Sequence, residues 1–136
     1  MDNPLDSLEM YRKFKDLRAY YVMRVHRNLH KDYKHSVGVL LLQELFALVR
    51  HMAVINTSHD RERKKEAAEA VLVGLDLVID QVEFLSTVPD AGVSLHQAAV
   101  MYEMLDDIGG KVGAFRKRLS LPESEAQRAQ ESAVRQ

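Results

Sequence analysis

His26 and His30 stand four residues apart, a spacing that puts two imidazoles on one helix face and can serve a metal ion. Arg27, Lys31 and Lys34 surround them. A cationic neighbourhood disfavours a dication, so the pair reads as ordinary surface or nucleic-acid-facing histidines. Ferritin-like di-metal bundles need Glu-x-x-His pairs, and the chain has none. It has no Gly-rich phosphate loop, no G-x-S-x-G elbow and no H-E-x-x-H. It also has no cysteine, which removes disulfides and cysteine-ligated metal or thiol chemistry. Catalytic residues, a bound metal and a cofactor are all unexpected.

The charged residues carry more. Taken as one helix, Lys13, Tyr20, Arg24, Arg27 and Lys31 recur at intervals of seven, four, three and four, so they fall on one stripe. Cations at such positions displace the counterions of a phosphate backbone, and an aromatic ring offers a stacking surface for a base. Amphipathic helices also carry cationic faces simply for solubility, and spacing alone does not separate the two. Glu69, Asp76, Asp80 and Glu83 recur at seven, four and three. They form either a solvated face or a contact for a basic partner, including a basic helix of the same protein or of a neighbouring subunit.

Two further features ask for a reason. Arg18 projects into the apolar face of its helix, between Tyr11, Phe14 and Val25. It is expected either to pair with Asp76 or Asp80 in the interior or to snorkel outward. Gly109, Gly110 and Gly113 each cost about 1 kcal/mol relative to Ala inside a helix. Gly109 and Gly113, four apart, predict a flat strip for a tight helix–helix contact, within the chain or between subunits.

Four helices must position these groups. Asp6-Ser-Leu-Glu9 resembles a capping box, opening a helix predicted to run to about residue 31 on Tyr11, Phe14, Leu17, Tyr21, Val22, Val25 and Leu29. Residues 33–36 predict a connection, with Ser36 as the next cap. The second helix, about 37–56, is apolar nearly all round and must be covered on most sides. Asn56 to Asp60 is turn chemistry. The third helix, about 60–87, turns Ala68, Leu72, Leu75, Ile79, Val82 and Leu85 inward. After the Pro89–Gly92 loop, Ser94-Leu-His-Gln97 is a second capping box. It opens a helix with the cleanest repeat in the chain: Ala98, Met101, Leu105, Ile108, Val112, Phe115 and Leu119. The expected fold is all-α: one up-down four-helix bundle over residues 1–119, followed by a mobile polar tail over 120–136.

Size and charge agree. At 136 residues and 46% hydrophobic the chain suits a single domain, which at this size buries about two thirds of its unfolded surface. Nineteen bases against 20 acids give a formal charge of -1, but the sum hides opposed segments. Residues 11–35 carry +6, residues 71–110 carry -7 with no Lys or Arg, and residues 111–119 carry +4. Such asymmetry points to charged partners. Gln43, Glu44, Arg50 and His51 interrupt the apolar second helix. A charge at the bilayer centre costs about 2.5–3.5 kcal/mol, so a bundle helix is expected rather than a membrane span. With no signal pattern at the N-terminus, the expected location is the cytoplasm.

Three motifs in register carry a family resemblance over about residues 10–119. Lys31-Asp-Tyr-Lys-His-Ser-Val-Gly38 resembles the segment that opens helix two in a family of bacterial four-helix-bundle proteins. Asn56, closing that helix, matches a recurrent Asn. Leu105-Asp-Asp-Ile-Gly109 with Val112-Gly-Ala-Phe115 is similar to the family's ending. The family comprises the accessory variability determinants (Avd) of diversity-generating retroelements and the proteins encoded in intervening sequences of 23S ribosomal RNA genes. The segment after helix two lacks the Asn-Ile-Ala-Glu-Gly-like run of the ribosomal branch, which favours the Avd branch.

The resemblance implies a homopentameric barrel with a basic, nucleic-acid-binding surface, no enzymatic activity, and reverse transcriptase and template RNA as partners. Two departures matter. His30 stands where Pro is frequent, and Asp76 and Asp80 stand in a stretch that is Arg-rich in Avd-like members. The basic surface left for RNA is therefore the first helix together with Lys111, Arg116, Lys117 and Arg118. The alternative is a protein–protein adaptor, or a ribosomal intervening-sequence-type protein, with no direct nucleic-acid role.

Overall fold

The apolar stripes form four long helices that pack together in a computed structural model describing residues 4–121, with side chains from Ser7 onward. α1 spans Pro4–Tyr20, α3 Val37–Thr57, α4 Arg61–Thr87 and α5 Leu95–Leu119; a short α2, Lys31–Lys34, lies between the first two. No strand occurs among the described residues. α1 packs on α3 and α5, and α4 packs on α3 and α5, so α1 and α4 occupy opposite corners. Long-range bonds give the directions. Lys13 meets Asp107 and Lys111 meets Glu9, so α1 and α5 are antiparallel. Glu69 meets Arg116 and Arg61 meets Leu119, so α4 and α5 are antiparallel as well.

The seven-residue seam of α5 is buried throughout, as its three-and-four repeat predicts. Each such Leu-sized side chain contributes about 1.5–3 kcal/mol on burial. Ser94 Oγ accepts from Gln97 N and Gln97 Oε1 accepts from Ser94 N, both at 3.0 Å, which completes the expected capping box. On α4 the inward row is Ala68, Val71, Leu75, Val78, Val82 and Leu85. Leu72 and Ile79, expected inside, are only half-buried, because the inward face of α4 centres between α3 and α5 rather than on their side of the helix.

The first helix departs most from expectation. It includes Asp6 already, starting at Pro4, which suits a first helical turn; the Asp6 side chain lies outside the described residues. It does not reach residue 31. A π-helical turn, Tyr21–Val25, is followed by a 3-10 turn, His26–Asn28, and by extended backbone at Leu29 and His30. Tyr21 is fully buried and its hydroxyl donates to the Gly38 carbonyl at 2.9 Å, a tie between the end of the first helix and the start of α3. His30 N donates to Ala91 O at 2.8 Å, joining this segment to the α4–α5 loop. Gly92 makes that approach possible: its φ is 97°, and a Cβ there would meet the Asn28 carbonyl oxygen. Ser36 stands before α3, yet its Oγ donates back to Asp32 O at 2.7 Å instead of capping.

The residues 31–57 stretch is long and apolar enough to cross a membrane by length and composition. Here α3 buries Leu41, Leu45, Leu48, Met52 and Ile55 against its neighbours. It is not covered on most sides, however: Leu40 and Phe46 are exposed, and so are Val73, Leu77 and Phe84 on α4. A Cβ on Gly109, Gly110 or Gly113 would meet nothing within 4 Å, so these glycines make no close helix contact inside the chain. The tail expected over 120–136 lies outside the described residues from 122 onward.

Candidate nucleic-acid interface

The nine bases and aromatics singled out for RNA do not share one face. Lys13 points to α5 and forms an ion pair with Asp107 at 2.8 Å. The hydrogen bond to Asp107 raises the Lys13 ammonium above its ordinary range, and the same bond holds the Asp107 carboxyl below its own. Lys111 lies 3.9 Å from Glu9 and 4.0 Å from Asp107. Arg116 places two guanidinium nitrogens 3.1 Å from Glu69 Oε1. Arg118 lies over the Phe115 ring, 5.9 Å from its centre. Lys13, Lys111 and Arg116 thus have partners within the chain, and Lys31 leaves the stripe because the helix ends at Asn28. The physical cause is the π turn, which breaks the 3.6-residue phase that placed Lys13 and Tyr20 in line with Arg24 and Arg27.

Two basic ends remain. The first gathers Arg24, Arg27 and Lys31, all exposed and without an ion pair among the described residues. Lys34, His26, His30 and His35 occupy the same segment, with Asp32 the only acid in it. The backbone beneath is pinned: the Arg24 carbonyl accepts from Asn28 Nδ2 at 2.9 Å and from Gln97 Nε2 at 2.7 Å. Gln97 therefore caps α5 and also fixes the loop that presents Arg24. Tyr20 is half-buried against the core, which leaves less of its ring for stacking.

His26 is not a metal ligand in waiting. Its Nδ1 lies 3.0 Å from the Tyr21 hydroxyl, whose single proton is given to Gly38, so Nδ1 acts as the donor. Desolvation, then Lys34 and His35, lower the His26 pKa, with the Gly38 backbone working the other way. Burial pushes the Tyr21 phenol well up. His30 Nδ1 instead accepts from Asp32 N at 3.2 Å. The two imidazoles sit on a 3-10 turn and an extended residue, so the shared helix face on which a metal site was weighed does not form.

The second end is at the far side of the bundle, where α5 finishes beside the start of α4. The Arg61 guanidinium donates to Arg118 O at 2.9 Å, Leu119 O at 3.2 Å and Leu121 O at 2.6 Å. Carbonyls that a helix C-terminus leaves unpaired are thereby satisfied from a neighbouring helix. The opening turns of α4, which carry Arg63, Lys64 and Lys65, thus lie at the same end of the bundle as Lys117 and Arg118. The run Arg61-Glu-Arg-Lys-Lys65 was not among the residues singled out from the sequence. It was visible as bases in a first helical turn, where the macrodipole opposes them.

Comparison of the chain with protein-family models, with curated proteins and with solved structures returns no match.

The acidic stripe divides too. Glu69 is held by Arg116, whereas Asp76, Asp80 and Glu83 are exposed on α4 with no ion pair among the described residues. The expected interior pair with Arg18 does not form. Arg18 is on α1, at the corner opposite α4, and its guanidinium lies 4.9 Å from the centre of the Phe46 ring on α3. That is a cation–π contact of a half-buried side chain. Among the described residues no group of three or more His, Asp or Glu could hold a metal ion.

Proposed function

We propose that this chain is a non-catalytic, cytoplasmic accessory protein of the Avd type, a homopentamer that binds template RNA together with a reverse transcriptase. The sequence resemblance over residues 10–119 supplies the class. The observation that carries the RNA half is the segment of Arg24, Arg27 and Lys31: three exposed cations without internal ion pairs among the described residues, on backbone held by Gln97 and Asn28. Cations already neutralised by carboxylates have little counterion release to offer; these three retain theirs. Lys117 and Arg118, with the basic opening of α4, form a second contact region. Lys13, Lys111 and Arg116 serve the bundle itself.

The test is RNA binding by fluorescence anisotropy across a salt series, for the wild type and for Arg24→Glu with Arg27→Glu. For a single strand, each phosphate neutralised adds about 0.7 to the log–log salt slope, so the double reversal lowers the slope by about 1.4 and weakens binding at low salt. Binding that ignores the double reversal refutes this interface. Absence of binding at low salt refutes the RNA role.

The adaptor reading draws on a separate observation, the exposed Val73, Leu77 and Phe84 beside Asp76, Asp80 and Glu83 on α4. Co-purification with the polymerase after nuclease treatment, without detectable RNA affinity, would favour it.

A further inference from the structure

α1 and α4 lie at opposite corners of the bundle and each carries a row of outward residues at intervals of four and three. On α1 the row is Leu8, Arg12, Lys15 and Ala19; on α4 it is Val73, Leu77, Asp80 and Phe84. Each row spans eleven residues in three turns, about 3.7 per turn and close to the 3.6 of a straight α-helix, so it stays along one side of its helix. Neither row is covered: Leu8 is 44% exposed, Val73 62%, Leu77 49% and Phe84 48%. Their charges are opposite. Arg12 and Lys15 stand within the first row and Asp80 within the second, with Asp76 and Glu83 beside it on α4, and none of the five has an ion pair among the described residues.

We infer that the α4 row of one copy docks on the α1 row of the next, head to tail. Charge decides the pairing. A two-fold arrangement of α4 on α4 would set acids against acids, and α1 on α1 bases against bases, whereas α4 on α1 joins apolar to apolar and acid to base. Both rows border α3: Arg18, one residue from Ala19, packs on Phe46, and Gly74, next to Val73, lies against Leu48. Successive copies therefore turn toward one side rather than extend in a line, as a closed ring requires. The inference rests on the homo-oligomer proposed above and assigns its seam. Arg12 and Lys15 become subunit contacts, separate from the cations assigned to RNA.

Light scattering on the purified 136-residue chain tests it. The wild type is expected at a multiple of 15.5 kDa. Asp76→Lys with Asp80→Lys, and separately Arg12→Glu with Lys15→Glu, are expected to raise the concentration needed for assembly by on the order of 100-fold. Combining all four substitutions in one chain restores complementarity and brings assembly back. Far-UV circular dichroism checks that each variant keeps its helices, and Val73→Ser with Leu77→Ser provides an uncharged disruption of the same seam. A wild-type oligomer whose mass ignores both reversals and the serine pair overturns the seam while leaving the oligomer standing. A wild type that has the mass of one chain at every concentration overturns the oligomer itself.

Discussion

Replacing Gly109, Gly110 and Gly113 together by alanine should stabilise the bundle, and by an amount the surroundings define. All three lie inside α5, and an added Cβ at each meets no atom within 4 Å. No packing cost then offsets the gain in helix propensity, about 0.8–1.0 kcal/mol per glycine. The plain sum over the three sites is about 2.5 kcal/mol, an upper value because sites this close need not add fully. For a domain of this size about 3–4 °C of Tm accompanies each kcal/mol, giving a rise of up to roughly 8–10 °C. The assay is urea and thermal unfolding followed by far-UV circular dichroism, at a dilution where light scattering gives the mass of one chain. Gly74→Ala is the control with the opposite environment. Its Cβ would press on the Leu48 side chain and come within 3.0 Å of Glu44 Oε1. An overpacking cost of about 1–3 kcal/mol then cancels or exceeds the same propensity gain. A triple variant no more stable than wild type would refute the open environment assigned to that stretch of α5.

Three further outcomes follow from single groups. Tyr21→Phe removes the donor to the Gly38 carbonyl and should cost about 1–2 kcal/mol in urea unfolding; a change under a few tenths would mean the tie carries no stability. Arg61→Ala leaves the last carbonyls of α5 to water, and amide exchange should quicken over residues 115–119 while the centre of α5 keeps its protection. His26 has a folded pKa below its unfolded value of 6.5, so the unfolded chain binds more protons in the window below 6.5. Its contribution is intact above that window and is lost as pH falls through it, becoming constant below the folded pKa. Stability should therefore decline as pH falls below about 6.5, and His26→Gln should flatten the profile. An unchanged slope in that variant would assign the decline elsewhere.

Local chemistry was the legible part. Ser94 and Gln97 form their box from residues three apart, and the α5 repeat fills the core position by position; Asp60, read only as part of a turn, proves to cap α4 by accepting from Glu62 N and Arg63 N. What stayed hidden depends on distant partners. Nothing near Tyr21 announces a π turn, because its hydroxyl is tied to Gly38, 17 residues on. The engagement of Lys13 depends on Asp107, 94 residues away. The expected Arg18 pair failed because helix spacing shows which side of a helix faces inward, not which helix is diagonal to it. The cations of the candidate interface were chosen for their spacing on one helix. The structure places Arg24 on the π turn, Arg27 on the 3-10 turn and Lys31 at the start of α2 instead, because that helix stops.

The π turn has an evolutionary side. Such a turn holds one residue more than an α turn, and it sits after Tyr20, beyond the part of α1 that buries Met10, Phe14 and Leu17. The wider turn takes up that extra residue locally, so removing it would restore α geometry and leave the residues before and after it nearly in phase. A change of one residue in length is therefore absorbed within Tyr21–Val25, the stretch that carries Arg24, while Met10, Phe14 and Leu17 keep their places in the interior.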